Sequence, residues 1–89
     1  MIKEKYEVMV GKINKQGVGD YHTIYTCNNL EEGKEKFYST IVEEKRDLKA
    51  WNLNSYQHLE ILLQLVEYDE YEEETLDVEV LECEEIGAF

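Results

Sequence analysis

The sequence predicts one α+β domain in the order β-β-α-β-β: a four-stranded, mostly antiparallel sheet with one helix packed on one face. Three observations carry that expectation. Two stretches before residue 28 alternate with the period of a strand, a middle stretch repeats with the period of a helix, and two more stretches after residue 57 alternate again. At 89 residues the chain is too short to divide into two independent cores, so residues 1–89 are read as one domain.

The first strand is expected over residues 5–14, where Tyr6, Val8 and Val10 take one face and Lys5, Glu7 and Met9 the other. Gly17 and Gly19 then supply the conformational freedom of a chain reversal, predicting a hairpin. They do not cradle a phosphate, because a strand and not a helix follows them. Residues 21–27 form the second strand, with Tyr21, Thr23, Tyr25 and Cys27 opposite His22, Ile24 and Thr26. Asn28 and Asn29 before Leu30, Glu31 and Glu32 mark a capped helix start with acids at its positive dipole end. The helix is expected to run over residues 30–49, packing Leu30, Phe37, Ile41 and Leu48 on the sheet, with Tyr38 and Val42 at the edges of that stripe. Residues 50–56 read as a turn or short helical piece whose Trp51 closes an edge of the core or anchors an interface.

From His58 or Leu59 the chain becomes strongly apolar: Leu59, Ile61, Leu63 and Leu65 on one face, Leu62 and Val66 on the other. This predicts a central third strand, with a helix capped by Ser55 as the competing reading. After an acidic turn over residues 69–74, residues 75–81 alternate as the fourth strand, Leu76, Val78 and Val80 against Asp77 and Glu79. On the face away from the helix, Glu60 and Gln64 are expected beside Asp77 and Glu79, extending the acidic turn into an acidic sheet surface.

Charge is the most informative feature. The net charge of −12 arises from 21 acidic and nine basic residues, and all nine basic residues lie at or before Lys49, balanced there by nine acids. The 12 remaining acids follow with no Lys or Arg among them. Direct nucleic-acid binding and attraction to anionic membranes have the wrong sign. No segment approaches the roughly 20 apolar residues of a membrane span. No apolar run follows Lys3 and Lys5, so the expected location is the cytoplasm. Cys27 and Cys83 lack the spacing of a zinc or redox motif and are expected as free thiols, small buried hydrophobes rather than a disulfide. The complete lack of proline excludes an X-Pro isomerisation phase in folding.

Catalytic groups are sparse. His22 and Cys27 have opposite parity on one strand and so are expected on opposite faces, while His58 stands as a lone histidine at a strand start. The acidic turn lacks the residue order and glycine of an EF-hand, leaving at most weak, millimolar-range calcium association. No cofactor, no metal and no enzymatic activity are expected.

The expected function is therefore a small acidic protein-binding module. Its partner-binding residues are Tyr68, Asp69, Glu70, Tyr71, Glu72, Glu73, Glu74, Asp77 and Glu79. The partner is a basic protein surface of the kind that holds nucleic acid, and the role that of an inhibitor such as phages and mobile elements direct against host nucleases. The alternative is a structural or self-associating subunit, for instance a homodimer, whose acids only aid solubility and blunt edge-to-edge pairing.

Overall fold

A computed structural model describes residues 1–14, 16–48 and 58–87. Their elements follow the expected order: β1 (Ile2–Ile13), β2 (Gly19–Cys27), α1 (Leu30–Leu48), β3 (His58–Asp69) and β4 (Glu74–Ile86). They form one open sheet in the order β2-β1-β3-β4, antiparallel throughout, with α1 on one face. The apolar run of β3 is thus a central strand, and both hairpins keep their sequence neighbours side by side. Residues 49–57, with Trp51 and the expected last residue of the helix, lie outside the described residues, as do the side chain of Leu48 and residues 88–89.

The two inner strands supply most of the core. Val8 and Val10 of β1 and Leu59, Ile61 and Leu63 of β3 are buried beneath Phe37, with Ile86 of β4 beside them and Tyr6, Tyr25, Leu30 and Ile41 packed at the margin. Asn29 caps α1, its Oδ1 accepting the backbone N–H of Glu31 at 2.8 Å and of Glu32 at 3.2 Å. In the first hairpin turn Asn14 Oδ1 accepts from the N–H groups of Gln16 and Val18, and Gly17 takes the left-handed φ of 84° that the reversal needs.

Both edge strands are bulged, and each bulge ejects an apolar residue from the register. Pairing passes over Ile24 between Tyr25 and Thr23, over Leu81 between Glu82 and Val80, and over Leu76 between Asp77 and Thr75. All three are exposed. A bulge reverses the parity on which a face assignment rests. Two sequence expectations fail for this reason. His22 lies opposite Val10 and Cys27 opposite Tyr6, so both stand on the helix side of β2 instead of on opposite faces. They are separated by four β1 positions, about 13 Å, and His22 pairs instead with Asp20 at 3.3 Å.

The second failure concerns β4. Asp77 lies opposite Glu67 and Glu79 opposite Leu65, which places both on the helix side. Glu60 and Gln64 face the other way, so the expected continuous acidic surface on the open face does not form. The open face carries Met9, Leu62, Val66, Val78 and Val80, with Gln64 buried among them and donating from Nε2 to Glu7 Oε1 at 3.0 Å. Val66 is buried there between its partners Lys5 and Val78, while Val78 and Val80 remain about half exposed. Cys83 is exposed on this face of one edge strand and Cys27 is buried on the helix side of the other, so only Cys27 is the small buried hydrophobe expected of both.

At the far end of the open face Tyr21 of β2 lies across Gly11 of β1, where a Cβ would overlap its ring. The phenol reaches Glu60 of β3, donating to Oε2 at 2.6 Å. That bond, with some desolvation, pushes the Tyr21 pKa up to about 12.

Candidate acidic interface

The β3–β4 hairpin holds all but two of the expected partner-binding residues in and around its turn. Asp69 ends β3, and its Oδ1 accepts the N–H of Tyr71 at 2.8 Å and of Glu72 at 3.3 Å, closing the turn over residues 70–73. Glu73 takes a left-handed φ of 53°, a conformation that favours Gly or Asn over a residue with a long side chain. The turn is tied back to the start of β1 as well. Glu70 N–H donates to the Met1 carbonyl at 3.2 Å, Lys3 Nζ pairs with Glu70 at 3.0 Å, and Lys5 Nζ sits 5.0 Å from the Tyr68 ring centroid. Both members of the Lys3–Glu70 pair are well exposed, so water screens most of their attraction.

Two of the turn carboxylates therefore have structural tasks: Asp69 orders backbone and Glu70 meets a lysine. Glu72, Glu73, Glu74 and Tyr71 are left exposed at the tip. The backbone N–H groups of Tyr71 and then Glu72 favour the ionised form of Asp69 and hold its pKa below the ordinary 3.8. A carboxyl with a depressed folded pKa adds stability above its unfolded pKa, and that contribution is lost as pH falls through the depressed value. The amide resonances of Tyr71 and Glu72 are accordingly expected to move with a midpoint below pH 3.8. Asp69→Asn, whose carbonyl still accepts both bonds, should abolish that titration; an unshifted midpoint would mean the cap does not form.

The larger array lies beyond the turn. Asp77, Glu79, Glu82 and Glu84 pair across with Glu67, Leu65, Leu63 and Ile61, all on the helix side of β3, so the four acids form one row along the edge strand. The bulge at Leu81 is what keeps Glu79 and Glu82, three residues apart, on the same side. At the strand's rise of about 3.4 Å per residue the row extends about 20 Å. Tyr38 of α1 donates to Glu82 Oε1 at 3.1 Å, and among the described residues no cation pairs with Asp77, Glu79 or Glu84.

Of the expected interface residues, Asp77 and Glu79 belong to this row, whereas Asp69 and Glu70 are largely committed to holding the turn. Glu82 and Glu84 were missed because the fourth strand was expected to end at Leu81, whereas it continues to Ile86. The signal was present in the spacing Glu79-x-x-Glu82-x-Glu84, which joins one strand face only through a bulge.

Cys83 lies on β4 between Glu82 and Glu84 but faces the opposite side of the sheet from the row. Desolvation, with the carboxylates of Glu60, Glu85 and Glu84, pushes the Cys83 thiol up, away from the thiolate a nucleophile requires. Among the described residues no helix is long and apolar enough to cross a membrane. No protein-family model, no curated protein and no solved structure matches the chain.

Proposed function

We propose that this chain is a non-enzymatic binding module of the cytoplasm that lays the β4 edge, with the exposed tip of the hairpin, against a basic protein surface that otherwise holds nucleic acid. The observation that supports this reading is the row Asp77, Glu79, Glu82 and Glu84. It is a linear series of single negative charges along an exposed strand, the electrostatic feature that a phosphate backbone presents to a cationic groove. The row continues into Glu72, Glu73 and Glu74, with no Lys or Arg anywhere in that stretch of sequence. Occupying such a groove inhibits its owner without any chemistry of the module's own, the mode expected of an inhibitor carried by a phage or mobile element.

Capture from a lysate of the source cells tests this reading. A basic protein should be retained at low salt, released at high salt, and displaced by duplex DNA competing for the same groove. Retention that resists both salt and DNA would count against it and direct attention to the half-exposed Val78 and Val80 on the apolar open face, as self-association or an apolar partner requires.

A further inference from the structure

At the end of the open face opposite the acidic turn, His58 and Glu60 stand two residues apart on β3, and Glu85 of β4 lies directly across from Glu60. One ligand atom from each can be chosen so that all three lie within 4.8 Å of one another. We infer that His58, Glu60 and Glu85 form a binding site for a divalent first-row transition metal, with zinc as the natural occupant. The site is independent of the acidic row, which lies on the other face.

Its geometry suits such an ion. His58 Nε2 and Glu60 Oε1 are 3.4 Å apart. That equals the edge of a tetrahedron whose metal–ligand bonds are about 2.1 Å. Glu85 is exposed, and with its ligand atom within 4.8 Å of the other two a change of rotamer brings it in as the third ligand, leaving a fourth position for water. One imidazole nitrogen with two carboxylates favours zinc and its neighbours over calcium and magnesium, which prefer oxygen alone.

Glu60 is also held for the purpose. The Tyr21 hydroxyl occupies Oε2 at 2.6 Å, so Oε1 is the oxygen turned toward His58. A hydrogen-bonded partner that orients a ligating carboxylate in this way is characteristic of metal sites. Tyr21 reaches that oxygen only because Gly11 has no side chain, so the arrangement draws on all four strands. Finally, Glu60 and Glu85 are like charges directly opposite on adjacent strands, an unfavourable pair in a sheet that a dication converts to a favourable one.

Calorimetric titration of the full chain with zinc chloride tests the site, with cobalt(II) absorption reporting coordination geometry. The expected result is one equivalent of zinc bound, a tetrahedral cobalt spectrum, and at least a tenfold loss of affinity in both H58Q and E85Q. E85Q alters an exposed side chain and controls for misfolding. C83S should leave the affinity unchanged, and calcium should bind far more weakly than zinc. Zinc affinity unaltered in both H58Q and E85Q, affinity lost in C83S, or no zinc binding in the wild type would each overturn the inference.

Discussion

Phe37→Ala is expected to lower the unfolding free energy by about 3–5 kcal/mol, enough to leave a domain of this size close to unfolded under ambient conditions. Phe37 is only 3% exposed and is the helix's central contact with a sheet whose own core residues, Val8, Ile61 and Leu63, are fully buried. Truncation removes the ring's transfer free energy and leaves a cavity between two layers held apart by neighbouring contacts. Val42→Ala on the exposed side of the same helix should change stability by no more than about 0.5 kcal/mol. Denaturant unfolding of the two variants decides the matter. Equal losses would mean that α1 is not packed on the sheet through Phe37.

Gly11→Ala is expected to destabilise by about 1–2 kcal/mol, although alanine is ordinarily preferred to glycine inside a strand. The new Cβ overlaps the Tyr21 ring, which must leave the sheet surface and surrender its bond to Glu60. The same ring also covers Gly19, where an added Cβ would come within 2.7 Å of Tyr21 Cε2. In a Tyr21→Ala background the sign should reverse, because only the backbone preference for alanine remains. The same loss in both backgrounds would show that the glycine serves a purpose unrelated to the tyrosine.

The fold was legible in the sequence to the extent that period sets structure. Tyr6, Val8 and Val10 alternate without interruption along β1, Phe37 and Ile41 keep helical spacing, and the Asn29 cap marks the helix start. The central position of β3 follows from its apolar weight, which an edge position would leave exposed, whereas the full order β2-β1-β3-β4 is set by pairing that the periodicity does not encode. The faces of the edge strands were not legible, because Ile24, Leu76 and Leu81 look like ordinary strand residues until pairing passes over them. The bulges at Ile24 and Leu76 each reversed a parity argument, moving His22 to the helix side with Cys27 and separating Asp77 and Glu79 from Glu60 and Gln64.

The site was legible as a charge imbalance but not as a geometry. The density of acids drew attention to residues 68–74, yet backbone and lysine contacts occupy Asp69 and Glu70 there. The regular row formed where the acids are sparser, because a strand spaces its side chains and a turn does not. His58 gave no signal of its own. Its neighbour Glu85 is 27 positions away in sequence, and only the β3–β4 register brings them together.

The most direct measurement compares two variants with the same change in net charge against the protein captured at low salt. One carries Asp77→Asn, Glu79→Gln, Glu82→Gln and Glu84→Gln; the other carries Glu4→Gln, Glu31→Gln, Glu35→Gln and Glu43→Gln at exposed positions outside the row. If the β4 row is the binding surface, the first variant loses the partner and the second retains it. Equal weakening in both would show that net charge alone, and not its arrangement along β4, governs the association.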